Sequence, residues 1–156
     1  MQNSFKLKQS SGFTLIELLV VVAILGIIAT IGVVSYSGYV DSTKRKSAEN
    51  ILMQMSLGQT EYYADNNIYH TSHNCSSVGN ALSTASEVTS DALETDLLGG
   101  QDNVNKELGF WFCSGPGTGS SNFTIWAAQQ KNSDPCVISM NSNNTFTRIR
   151  QSGAGC

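Results

Sequence analysis

The sequence predicts an α+β fold: a long N-terminal helix, membrane-spanning in its first half, packed on an antiparallel four-stranded sheet. Three observations predict it. Residues 13–34 hold one charged side chain in 22 positions. Apolar side chains then recur at helical spacing up to Tyr63. After residue 107, four short stretches rich in β-branched and aromatic residues alternate with Gly, Pro, Asn and Asp.

The helix comes first. At about 1.5 Å per residue the apolar run reaches roughly 33 Å, enough for the roughly 30 Å core of a bilayer. Ala48, Ile51, Leu52, Met55, Gln59, Tyr62 and Tyr63 follow at spacings of three and four, with Gln59 as the polar exception. Gly58 reads as a local weakness by propensity. Asp65-Asn66-Asn67 reads as the stop, which predicts one helix over 14–64. Its second half packs on the sheet.

Residues 66–108 form a long connection that must hold some structure. Asp91-Ala92-Leu93-Glu94 fits a capping box, and Gly99-Gly100 supplies a stop, so a short helix is expected over 92–98. The strands are expected at 108–113, 123–130, 137–140 and 145–150. Alternation in Phe123-Thr124-Ile125-Trp126-Ala127 and Phe146-Thr147-Arg148-Ile149-Arg150 predicts an antiparallel sheet with a buried face. Residues 141–144 read as a hairpin turn.

The chain of 156 residues carries a net charge of −3. Lys6 and Lys8 stand before Gly12; without them the balance is 7 basic to 12 acidic side chains. That disfavours a nucleic-acid surface, which calls for a basic patch. Lys44-Arg45-Lys46 reads as a solvated helix face. The four cysteines, Cys75, Cys113, Cys136 and Cys156, all follow the apolar run. An even count there suggests two disulfides in an oxidising compartment, with three connectivities open.

Glu17 sits inside the apolar run, where a charge costs roughly 2.5–3.5 kcal/mol on insertion scales. A secretory signal peptide has a shorter run, and a plain anchor does not explain the glutamate. A basic leader, Gly12, Phe13, Thr14, Glu17 and the run GFTLIELLVVVAILGIIA together resemble the N-terminus of type IV pilins and pseudopilins.

The resemblance implies a pilin fold in three parts: a prepilin leader (1–12), a transmembrane and filament-core helix (13–40), and a globular periplasmic or extracellular domain (41–156). It implies cleavage between Gly12 and Phe13 by the prepilin peptidase, which also methylates Phe13. Glu17, with Thr14 beside it, would serve assembly by neutralising an N-terminal amine, since buried charges must pair. The implied role is a non-enzymatic subunit of a homopolymeric pilus for adhesion, twitching motility or DNA uptake. Implied partners are other pilins, an inner-membrane platform with its ATPase, and an outer-membrane secretin. The protein would lie in the inner membrane before assembly and in the surface pilus after it. Alternatives are a minor pilin, a type II secretion pseudopilin, or a DNA-receptor pilin, which the charge balance disfavours.

The resemblance also pairs Cys136 with Cys156, as in the C-terminal loop of type IVa pilins, leaving Cys75 and Cys113 to each other. Many pilins have a proline near position 34. Here Gly26 and Gly32 are present instead, and helicity between 26 and 35 stays open. No cofactor or metal is expected. His70, His73 and Cys75 are zinc-type ligands, but a disulfide at Cys75 removes its thiolate. Asp91, Glu94, Asp96 and Asp102 fit no calcium loop and read as a solvated acidic loop. Asn74, Asn122 and Asn143 begin glycosylation-type triplets. The chain has neither a GxSxG nor a P-loop motif.

Overall fold

The computed structural model describes residues 12–71, 75–100, 104–117, 122–130 and 133–156. Lys6, Lys8, His73, Asn74, Asp102 and Lys131 lie outside the described residues. The chain divides into two units, Met1–Asp41 and Ser42–Cys156. The elements run α1 (Leu15–Asn66), α2 (Val78–Thr84), α3 (Glu87–Leu98), α4 (Val104–Leu108), β1 (Phe110–Pro116), β2 (Phe123–Gln129), β3 (Cys136–Asn141) and β4 (Phe146–Arg150).

Helix α1 has no proline in its 52 residues and is continuous through Gly26 and Gly32 in the single chain. It ends where Asn67 turns left-handed (φ 56°) and donates its N–H to the Tyr63 carbonyl. Asparagine tolerates that conformation better than most residues. In the second unit α1 buries Ala48, Leu52 and Met55 against Phe110, Phe112, Phe123, Ile125, Ile138 and Met140 of the sheet. A core side chain of this kind contributes about 1.5–3 kcal/mol on burial.

The sheet is an antiparallel meander in the order β1-β2-β3-β4. Phe112, Ala127, Ile138 and Arg148 stand in one row across it, and Cys113, Trp126, Ser139 and Thr147 in the next. Neighbouring rows face opposite ways. The Phe112 row joins the core shared with α1. On the other face Cys113, Ala128 and Val137 bury with Cys75, Ala81 and Ala85, while Trp111 and Trp126 are half-buried beside them.

The Phe112 row ends in an ion pair. Arg148 Nε donates to Glu49 Oε1 of α1 at 2.5 Å, and Lys46 Nζ lies 3.1 Å from Oε2. The Arg148 hydrogen bond is the main cause holding the Glu49 carboxyl below its usual 4.5, against the opposing effect of burial. A depressed carboxyl stabilises the fold above the unfolded pKa and loses that contribution as pH falls through the folded one. Acid should therefore destabilise the native chain below about pH 4.5. Glu49→Gln should flatten that part of the urea-midpoint-against-pH curve and cost about 1–3 kcal/mol at neutral pH. An unchanged slope would remove Glu49 from the account.

Three parts of the sequence reading are corrected. Helices α2 and α4 were not expected. Helix α3 begins five residues before the expected start: its N-cap is Ser86, in a reciprocal box with Thr89, rather than Asp91 with Glu94. Asp91 instead accepts from Asn105 Nδ2 at 2.7 Å, and Glu94, fully buried, accepts from the Asn105 backbone N–H at 3.1 Å. Both acids serve the join between α3 and α4, so neither belongs to a solvated loop. The third correction is Gly58. Its Cβ would sit 2.2 Å from the Leu97 carbonyl oxygen, so glycine there permits the close approach of α1 and α3.

Candidate functional site

Gly12, Phe13 and Thr14 precede the first turn of α1, and Phe13 is 85% exposed. Thr14 caps the helix. Its backbone N–H donates to Glu17 Oε2 at 2.8 Å, and its hydroxyl donates to the same oxygen at 2.7 Å. In return the Glu17 N–H points at Thr14 Oγ1, at 3.4 Å. This is a reciprocal capping box with Thr14 at N-cap and Glu17 at the third helical position. Glu17 thus satisfies one oxygen within its own chain and holds it near the positive end of α1. The Gly12–Phe13 bond lies outside the helix. From Leu15 to Ile31 the apolar side chains are exposed, among them Leu18, Val22, Leu25 and Ile28. Composition and length suit a membrane span.

A second feature closes the chain's far end. Disulfides join Cys75 to Cys113 and Cys136 to Cys156. Around the second, Ser152 donates to Asp134 through both N–H (2.9 Å) and hydroxyl (3.0 Å), and Gln151 N–H donates to the Pro135 carbonyl (3.1 Å). Arg45 Nη1 of α1 donates to the Cys156 carbonyl at 3.2 Å. The segment after β4 is thereby tied to the β2–β3 turn, to β3 and to α1.

The other candidate residues have structural partners. His70 Nε2 lies 2.9 Å from Asp96 Oδ2, and its backbone is clamped by the Gln59 side chain at 2.7 and 2.8 Å. Among the described residues no group of three His, Cys, Asp or Glu could hold a metal ion. Five cations of the second unit are bonded: Lys46 and Arg148 to Glu49, Lys106 to Glu87, Arg45 and Arg150 to backbone carbonyls. Asn143 is exposed at the β3–β4 turn.

Sequence reasoning missed Ser90 and Thr89. Ser90 Oγ accepts the Phe112 N–H at 2.7 Å, and Thr89 Oγ1 donates to the Phe112 carbonyl at 3.1 Å. They cover the edge of β1, which otherwise offers unpaired backbone to another strand. Their signal was the Ser-x-x-Thr at 86–89, a weaker form of the Ser/Thr-x-x-Glu box.

Residues 7–33 match the family described as "Prokaryotic N-terminal methylation motif". Residues 34–141 match the family described as "Type IV minor pilin ComP, DNA uptake sequence receptor". The chain belongs to that family of type IV pilins. Its fold, a long helix on a four-stranded antiparallel sheet, is the pilin architecture that the sequence led us to expect. A curated relative, the fimbrial protein EcpC of Eikenella corrodens, is 36% identical over 64 residues, 40% of this chain and 42% of that protein. The match thus spans less than half the relative's length. No solved structure matches. The methylation motif leads into an apolar helix whose length and composition suit a membrane span.

Proposed function

We propose that the chain is a non-enzymatic minor pilin that carries a DNA-binding domain into a type IV pilus. The observation that carries this reading is the match of residues 34–141 to a family described as a DNA uptake sequence receptor. The chain is cut between Gly12 and Phe13, and Phe13 is methylated. Residues 13–40 then form the filament-core helix and 41–156 the exposed domain. The free Phe13 amine would lie beside Glu17, whose second oxygen is available to it or to the amine of a neighbouring subunit. Partners are other pilins, the prepilin peptidase, the inner-membrane platform with its ATPase, and an outer-membrane secretin. The likeness to a fimbrial protein supports filament membership. Adhesion and twitching would belong to the filament as a whole. The same family match ranks a minor pilin above a secretion pseudopilin.

Most described cations of the second unit are already bonded, so DNA recognition would rest on few phosphate contacts. The full chain in detergent micelles should bind a sequence enriched from genomic fragments over a scrambled duplex. Because few counterions are released, log K should fall with log salt at a shallow slope of about −1 to −3 between about 50 and 200 mM. Absence of binding at about 50 mM salt, or of any sequence preference, would remove the receptor reading and leave a structural pilin.

A further inference from the structure

We propose that the end of the Ser42–Cys156 unit carrying Lys44, Arg45, Lys46, Arg148 and Arg150 binds the anionic headgroups of the membrane that the apolar helix enters. This rests on the reading of that helix as a membrane span. From Asp41 on the chain has seven basic side chains, and these are five of them. Eight of the eleven acidic side chains in the same part lie elsewhere, from Glu61 to Glu107, beside a single lysine, Lys106. The stretches that supply the five cations, 41–49 and 134–150, hold three acids, Asp41, Glu49 and Asp134. A negative overall balance thus hides a positive end.

The packing brings the five together. Lys46 Nζ and Arg148 Nε share the Glu49 carboxylate. Arg150 stands opposite Cys136 in the sheet, Cys136 is bonded to Cys156, and the Cys156 carbonyl accepts from Arg45 Nη1 at 3.2 Å. Arg150 Nη1 donates to the Asp134 carbonyl, also at 3.2 Å. A carbonyl holds a guanidinium in place without cancelling its charge, and arginine stays protonated. Among the described residues only Lys46 and Arg148 of the five form ion pairs, and both use the one carboxylate of Glu49. A surplus of positive charge remains, and it reaches solvent: the Lys46 side chain is 68% exposed and that of Arg148 39%.

The spacing along the chain favours lipid as the partner. The apolar run ends at Val34, and Tyr36 and Tyr39, each 70% exposed, follow it. Tyrosine at the end of a span settles at headgroup level. Only four residues separate Tyr39 from Lys44, a helix rise of about 7.5 Å. The headgroup layer on each side of a bilayer is about 5–8 Å deep, and charges act over about 8 Å at physiological salt. Lysine and arginine just beyond the exported end of a span oppose its insertion. Three in succession, Lys44-Arg45-Lys46, are offset there by lipid phosphate. A DNA duplex carries the same phosphate chemistry, but it arrives from solution, whereas the span keeps lipid close at a high effective concentration.

The test is native mass spectrometry of the full chain from nanodiscs of equal phosphatidylglycerol and phosphatidylcholine, reading the ratio of the two lipids retained. We expect phosphatidylglycerol to be preferred. Lys44→Gln with Lys46→Gln should lower the ratio by about tenfold or more, since each cation near the surface contributes about fivefold. Lys106→Gln with Lys131→Gln removes the same charge and should leave the ratio unchanged. Lys6 and Lys8 are present in every variant and do not separate them. The preference of the unsubstituted chain should also fall between about 0.05 and 0.5 M salt, a test that needs no substitution. Equal ratios in the two variants, or no preference in the unsubstituted chain, overturn the lipid surface while the span stands. A chain that does not enter the nanodisc overturns the span and the surface together. Loss of duplex binding in Lys44→Gln with Lys46→Gln at an unchanged lipid ratio assigns this end to DNA and overturns the proposal.

Discussion

Gly58→Ala is expected to lower the stability of the Ser42–Cys156 unit by about 2–3 kcal/mol and to loosen α3. The added Cβ would lie 2.2 Å from the Leu97 carbonyl oxygen and 3.0 Å from its carbonyl carbon. Those are backbone atoms, so no rotamer change relieves the clash. Helix α3 has little room to retreat: Leu93 and Leu97 are buried in the core with Leu52 and Met55, and Ser90 and Thr89 hold its start to Phe112. Gly79→Ala is the control. Gly79 opens α2, and its Cβ would meet nothing within 4 Å, so that change should be neutral or stabilise by up to about 1 kcal/mol. Urea midpoints of the two variants check the pair, and equal midpoints would contradict the close α1–α3 approach.

Cys136→Ser with Cys156→Ser is expected to cost about 3 kcal/mol, the entropy of an unclosed loop on the chain-entropy model. The two cysteines are separated by 20 positions. Without the bond, the segment after β4 keeps its polar ties at Asp134 and Pro135, the bonds between Arg150 and the backbone of Gly153 and Ala154, and the Arg45 bond to the Cys156 carbonyl. Each net hydrogen bond contributes about 1 kcal/mol, and the exposed ones less. The segment should therefore become the first site of limited proteolysis, before any global unfolding. Protection equal to that of the oxidised chain would show that the polar ties suffice.

These expectations also show what the sequence made legible. The sheet was legible because one face is buried and the period is two: Ile125, Ala127 and Ile138 fall on the core side as the alternation requires. The start of α1 was legible as a helix, and its capping box stands in the text as Thr14-Leu15-Ile16-Glu17, although the charge of Glu17 drew the attention first. Helices α2 and α4 were not legible. At 7 and 5 residues they have too few turns for a periodic signal. Gln59 looked like a fault in an apolar stripe, because its partner is the backbone of His70 eleven residues on, and pattern alone cannot show a backbone returning. Gly58 looked weak because propensity sees a helix alone and not the helix crossing it. Charge is coarse for a similar reason. A net balance of 7 basic to 11 acidic side chains sums the whole domain from Asp41 on, whereas a DNA contact needs only a local surface.

The account's central claim is that this chain is a processed pilin. Intact mass spectrometry of the protein from sheared surface filaments, with and without reduction, tests it most directly. The account predicts a chain beginning at Phe13 with one added methyl group, a gain of four hydrogens on reduction of the two disulfides, and a minor share of the filament protein. A chain beginning at Met1 and found only in membranes would contradict it.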